Sequence, residues 1–216
     1  MTRLVTIILA AGNSSRFGGC KLLADAAGTP VLGRVLQQAM VCFDGPLYLI
    51  SGYWHQDILG ARARGEIADI PVLYHSHWNL GMGQSISFAV NQLADQYDGV
   101  VIVLADQINI QAEDFLRLRD AFKDADAACA LYDGRRGAPA IFAPSLFSEL
   151  KQLSGEQGAK ALLYNPSYRI TEVAMENANC DIDTREALQQ WLIAYQDQGT
   201  SAVSSDQTHQ SIRGSE

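Results

Sequence analysis

The chain reads as an α/β protein built on a single doubly wound, mostly parallel sheet with helices on both faces. Two observations predict this. Short runs rich in β-branched and aliphatic residues alternate with longer amphipathic stretches, and these runs lack the polar alternation of a sheet with one face in water. Strand and helix candidates also follow one another in strict order through the first half of the chain, the pattern of a parallel sheet with crossover helices.

The buried strands are expected from Leu4 to Leu9, Leu47 to Ser51, Val72 to His75 and Val100 to Leu104. Helices are expected between and after them, from Val31 to Phe43, Trp54 to Arg64, Gly83 to Gln96 and Ala112 to Lys123. In such a sheet a ligand sits at the carboxyl ends of the strands. After Asp124 the pattern is less regular, with strands from Ala127 to Tyr132 and Ala140 to Phe142 and helices from Ser145 to Leu153 and Gly158 to Tyr164. This region is expected to form a sheet-edge excursion beside the ligand site. A last helix should begin after Asp183-Thr184, where Thr184 can cap it and Glu186 suits its positive start, and run to about Tyr195. From Gln196 the composition turns to Ser, Thr, Gln, Asp and Gly without apolar period. The expected organisation is one domain over 1–195 and a disordered tail over 196–216.

Composition narrows the partners. With 216 residues, 48% of them hydrophobic, the chain can bury one sizeable core but not two ordinary domains. A formal net charge of -8 argues against nucleic acid, because duplex binding rests on many Lys and Arg contacts. Cysteines 20, 42, 129 and 180 form no close pair and no zinc spacing, which suits a reduced, cytoplasmic chain. The apolar start from Leu4 to Ala11 is too short to span a bilayer, so no membrane partner is expected.

One loop concentrates chemistry. The segment Leu9-Ala10-Ala11-Gly12-Asn13-Ser14-Ser15-Arg16-Phe17-Gly18-Gly19-Cys20-Lys21-Leu22 follows the first strand directly, so its backbone amides and two cations lie at a strand's carboxyl end. Glycines 12, 18 and 19 allow close backbone approach to an anion, and Arg16 and Lys21 add charge. The spacing is neither G-x-x-x-x-G-K-[ST] nor G-x-G-x-x-G. Taken singly, these residues read as solvated loop charges and a turn; their order and context favour a polyphosphate site.

The loop resembles the L-A-A-G-x-S-x-R-[MF]-G-x-x-K-L-L signature of the nucleotidyltransferases that include molybdenum cofactor cytidylyltransferase. Four more segments agree in order: Asn79 to Ile86 with G-M-G-x-S, Leu104 to Gln107 with L-A-D-Q, Arg136 to Phe142 with R-G-x-P-x-x-F, and Asp181 to Thr184 with D-I-D-T. The resemblance covers roughly residues 4 to 192 and implies a Rossmann-like nucleotidyltransferase fold. It implies nucleotide binding by Leu9, Ala10, Ala11, Gly12, Ser14, Arg16, Lys21, Gly81, Gly83 and Ser85, with Arg16 and Lys21 catalytic. Acceptor contacts fall on Arg136, Gly137 and Pro139. Mg2+ is the implied cofactor, held by Asp106 and Asp183, with Asp181 a further candidate because alternation in an extended segment puts it on the same side as Asp183.

The implied partners are CTP, or another NTP, and a phosphorylated small molecule, molybdopterin first among them. The resemblance also admits a molybdoenzyme as partner. Three departures keep alternatives open: Ile108 stands where many relatives have Pro, Ala138 replaces a His, and Ala11 resembles the cytidylyl rather than the guanylyl members. A different phosphorylated acceptor, GTP as donor, or a maturation factor that binds without turnover all remain compatible with the residues. His75 and His77 share one side of an extended segment, but no third ligand lies nearby in sequence, so surface or hydrogen-bonding roles are the simpler reading.

Overall fold

The structure, a computed structural model, describes residues 2–43 and 45–206. Its strands are β1 (Leu4–Ala10), β2 (Leu47–Ser51), β3 (Val72–Tyr74), β4 (Gly99–Leu104), β5 (Ala127–Tyr132), β6 (Arg135–Phe142) and β7 (Ile170–Ala174). They form one sheet in the order β3-β2-β1-β4-β6-β5-β7. Only β6 runs against its neighbours β4 and β5; the remaining pairs, including β5 with β7, are parallel.

The strands lack polar alternation because both faces of the sheet are covered. In β1, Leu4, Ile8 and Ala10 join the core that includes Leu32, Leu36, Ile58, Phe115 and Leu118, whereas Val5 and Ile7 join the core that includes Ile86, Val90, Phe147 and Leu163. Helices α1 (Val31–Met40), α2 (His55–Ala63) and α4 (Ala112–Ala121) thus cover one face. Helices α3 (Met82–Leu93), α5 (Phe147–Leu150) and α6 (Lys160–Leu163) cover the other. Each fully buried aliphatic or aromatic side chain contributes roughly 1.5–3 kcal/mol of transfer free energy, so this double covering dominates the fold's stability. A third cluster, Phe17, Ala26, Val31, Ile108, Ile182 and Leu188, sits apart and joins the glycine loop to the last helix, α7 (Arg185–Asp206).

The elements expected from sequence form with shifted ends, and three features differ. β7 had no place in the sequence reading: Ile170 to Ala174 is a short edge strand in which only Val173 is buried, so its apolar signal is weak. β6 begins at Arg135 rather than Ala140, since its first half is polar and only half-buried. α7 starts where expected, with Thr184 Oγ1 accepting from the Ala187 N–H at 3.1 Å. It runs on past Tyr195 to Asp206. Extending an existing helix adds one hydrogen bond per residue fixed, so a stretch without proline can stay helical without apolar period. The rest of the expected disordered tail, 207–216, lies outside the described residues. Among the described residues no helix is long and apolar enough to cross a membrane.

Candidate active site

The carboxyl ends of β1 and β4 open into a cavity of about 490 Å³. Leu9, Ala10, Ala11, Gly12, Ser14, Arg16 and Lys21 from the glycine loop line it, together with Trp78, Asn79, Gly81, Met82, Ser85, Asp106, Glu156 and Asp183. The loop is shaped by a tight turn in which the Phe17 and Gly18 N–H groups both donate to Ser14 O, at 2.9 and 3.2 Å. Ser14 and Gly18 take left-handed backbone angles, φ 54° and 72°. Gly12 has neither a positive φ nor a crowded Cβ position, so the open volume beside it belongs to the cavity. The twelve-residue α3 also begins at this cavity, and the positive end of its dipole favours an anion there.

At the cavity's mouth, Lys21 Nζ donates to Asp106 Oδ2 at 2.5 Å and to Asp183 Oδ1 at 2.8 Å. Arg16 donates to the other Asp183 oxygen at 2.7 Å. Burial works to lower the Lys21 pKa, but the Asp106 and Asp183 carboxylates outweigh it and hold the ammonium charged. Asp183 lies below the ordinary carboxylate range: burial opposes this, and Lys21 and Arg16 overcome it. Asp181 behaves differently. Burial, then the charges of Asp106 and Asp183, push it up to about 6 against the opposing pull of Lys21 and Arg16. Three carboxylates therefore face two cations, and the corner keeps an electrostatic demand for positive charge.

The same geometry shows which residues could reach a metal. Asp106 and Asp183 converge on one point, now taken by the Lys21 ammonium, so two carboxylates can reach a single compact cation. Among the described residues no three of His, Cys, Asp and Glu gather closely enough to cage a metal alone. That suits a hard ion such as magnesium, which commonly takes one or two carboxylates and completes its shell with phosphate oxygens and water.

A second cavity, about 340 Å³, opens between β6 and α6. Its floor is apolar, with Ile86, Ile102, Phe142 and Leu163, and its rim carries Arg135, Lys160 and Asp181. Met82 and Leu104 line both cavities, so the two share a wall.

Residues 6–171 match the MobA-like NTP transferase domain. The chain belongs to this family. The purine catabolism protein PucB of Bacillus subtilis (strain 168) is 28% identical over 200 residues, covering 85% of this chain and 93% of PucB. Among solved structures, an Rv0371c homologue from Mycobacterium sp. strain JC1 superposes with TM-score 0.77 at 25% identity, covering 89% of this chain and 96% of its own. Rv0371c of Mycobacterium tuberculosis H37Rv in complex with manganese gives TM-score 0.72 at 25% identity, covering 88% and 98%. The chain is thus a MobA-like nucleotidyltransferase with the α/β fold of that family.

Most of the residues singled out from the sequence of this MobA-like transferase meet in the first cavity, and five are placed otherwise, among them Gly137, which lines the second. Gly83 does not line it; its N–H donates to Gly155 O at 2.8 Å, and a Cβ there would collide with the backbone of Ser154. Asp181 lines the second cavity and Asp183 the first, on either side of buried Ile182. Pro139 lines neither cavity. Arg136 lines the second, yet its guanidinium is committed to Glu172 Oε1 at 2.6 Å and Leu163 O at 2.5 Å.

Sequence reasoning passed over Arg135 and Lys160, whose position on the cavity rim has no local signal. It also gave Gln107 no role beyond the motif. Gln107 is fully buried, and its amide donates to Ala138 O at 3.0 Å and Ala178 O at 2.9 Å, pinning the R-G-A-P strand and the segment before Asp181 to the end of β4. Of the histidine pair, His75 is buried and stacked on Phe88 at 4.7 Å, and burial, then His77, lowers its pKa. Cys20 is half-buried with its thiol pushed up, chiefly by burial, so it is no activated nucleophile.

Proposed function

We propose that this MobA-like protein is a magnesium-dependent cytidylyltransferase of the cytoplasm that moves CMP from CTP to the terminal phosphate of molybdopterin, releasing pyrophosphate. The observation that carries this reading is the convergence of Asp106 and Asp183 on Lys21 at the mouth of the glycine-loop cavity. In this reading the triphosphate lies between the loop amides and the N-terminus of α3. Arg16 and Lys21 face the β and γ phosphates, and the base enters beside Ala11 and Ser85. Ala11 is buried, and its carbonyl accepts from the Tyr53 N–H at 3.1 Å, so its methyl stands fixed against the base and narrows the room for a purine.

The acceptor takes the second cavity, its pterin over the apolar floor and its phosphate toward the shared wall. An oxygen of that phosphate forms a bond to the α-phosphorus while the bond from that phosphorus to the β-phosphate oxygen breaks, and pyrophosphate departs. The acceptor phosphate is already ionised near neutral pH, so no protein base is required. Lys21 and Arg16 stabilise the charge that grows on pyrophosphate, the kind of contact whose loss costs roughly a hundredfold or more in rate. Asp106 and Asp183 would hold magnesium, which supplies charge neutralisation to the phosphate oxygens.

The test is a coupled pyrophosphate assay with magnesium, molybdopterin, and CTP, GTP or ATP in turn. Turnover with CTP and molybdopterin is the expected result. Tight CTP binding without pyrophosphate from any phosphorylated acceptor would replace the enzyme by a binding and delivery factor.

A further inference from the structure

We infer that Arg185 is a positioning residue that latches the C-terminal helix onto the glycine loop, and so sets how tightly the first cavity holds a polyphosphate. The inference rests on the nucleotidyltransferase reading only for the identity of the ligand.

Arg185 Nε donates to Phe17 O at 3.1 Å, and its guanidinium lies over the Phe17 ring, 5.1 Å from the centroid. The guanidinium also lies beside Gly19, where an added Cβ would sit at ordinary contact distance, 3.5 Å, from it. Phe17 closes the turn that starts at Ser14, its N–H donating to Ser14 O as that of Gly18 does. Ser14 sits in the left-handed region, which costs a residue with a side chain on the order of 1 kcal/mol or more and persists only where its surroundings enforce it.

Two residues before Arg185, Asp183 grips Arg16 and Lys21. The stretch that leads into α7 therefore holds the loop within its turn and beyond it: Arg16 and Lys21 through Asp183, and Phe17 through Arg185. The helix that carries the latch is itself anchored. Leu188 is buried in the third cluster, and Trp191 Nε1 donates to Asn109 Oδ1 at 2.5 Å.

Arg185 reaches neither cavity lining, so it acts through the loop rather than on a ligand. The planar guanidinium combines a directed N–H with stacking, which a lysine reproduces only in charge.

The experiment uses the full chain as parent, Arg185→Ala and Arg185→Lys, with two readouts. The first is amide hydrogen exchange over 14–19. The second is calorimetric titration with magnesium CTP and with inorganic triphosphate. In Arg185→Ala, exchange over 14–19 should speed up while β1 and α1 keep their protection, and affinity for both ligands should fall about tenfold, the scale of one lost hydrogen bond from a charged donor. Arg185→Lys should fall between the two. Unchanged exchange over 14–19 overturns the latch, as does an affinity loss matched by faster exchange throughout the chain. A parent that binds neither ligand removes the nucleotidyltransferase reading, and the exchange data then decide the latch alone.

Discussion

Lys21 Nζ lies 2.5 Å from Asp106 Oδ2 across 85 residues of sequence, joining the loop after β1 to the end of β4. Both side chains are largely buried, 14% and 18% exposed, so this pair fixes the geometry of the cavity mouth. Asp106→Asn should keep the loop in place, because Asp183 still holds Lys21 at 2.8 Å. We expect a stability loss of about 1 kcal/mol, the scale of one such contact. Turnover in the pyrophosphate assay should fall on the order of a hundredfold or more. Near-normal pyrophosphate release with saturating acceptor would remove Asp106 from the metal site.

Base preference can be read without turnover. A ligand that binds only the folded state raises its stability by RT ln(1 + [L]/Kd), about 2.7 kcal/mol at a hundredfold excess over Kd. If the base enters beside Ala11 as proposed, magnesium CTP should raise the melting temperature more than GTP or ATP at equal concentration, since Ala11 is a buried residue of the cavity lining. An equal or larger rise with GTP reverses the assignment, and Ala11→Gly should then leave the order unchanged.

The sheet was legible because its residues answer to local rules. Strands buried on both faces read as unbroken apolar runs, and Thr184 announces the cap that it forms. The glycine loop was legible by its placement after β1. What sequence concealed is long-range: β7 is an edge strand with one buried side chain, and Arg135 and Lys160 matter only through which cavity they rim. The Asp181 and Asp183 pair shows the limit of periodicity. Alternation does not say which cavity each carboxyl borders: Asp183 lines the first and Asp181 the second, although Asp181 still feels the charges of Asp106 and Asp183.

Asp114 gives a prediction about acid. It is buried near the start of α4, where its carboxylate accepts from the Gln111 N–H at 3.0 Å, Asn177 Nδ2 at 2.7 Å and Arg117 at 2.6 Å. Burial pushes its pKa up, and these donors together overcome that and hold it below the ordinary value of 3.8. A carboxyl depressed on folding contributes stability that is complete above its unfolded pKa and is lost as pH falls through the folded one. Asp114→Asn should therefore cost about 2 kcal/mol at pH 7, the scale of hydrogen bonds to a charged group. The gap between parent and variant should hold down to about pH 4 and close below it. Denaturant unfolding at pH 7, 5 and 3 checks this, and a gap that stays constant to pH 3 would falsify the role of the charge.

The second cavity allows a prediction that separates the arginine its motif points to from its neighbour. Arg136 donates to Glu172 and to Leu163 O and lies over the Tyr164 ring at 5.4 Å, so its charge and its donors are already engaged in tying β6 to β7 and α6. Arg135 has only a marginal ion pair with Asp133 at 4.0 Å, and its side chain is 68% exposed at the cavity rim across from Lys160. An anionic acceptor entering the second cavity should pass Arg135 and Lys160 at its rim before its phosphate reaches the shared wall, and a cation already paired, as Arg136 is, gains little from a second anion. Arg135→Ala and Lys160→Ala should each raise the KM for the acceptor roughly three- to tenfold, on the scale of about 1 kcal/mol for a partly exposed charge contact. The KM for CTP and the melting temperature should stay near the parent's. Arg136→Ala should do the reverse, lowering the melting temperature by several degrees, because it strips donors from the carbonyl of buried Leu163 and from Glu172, while the folded fraction keeps its acceptor KM. Initial-rate kinetics with each substrate varied in turn, together with thermal melts, check all three variants. A raised acceptor KM confined to Arg136→Ala, at unchanged melting temperature, would return the acceptor phosphate to the motif arginine.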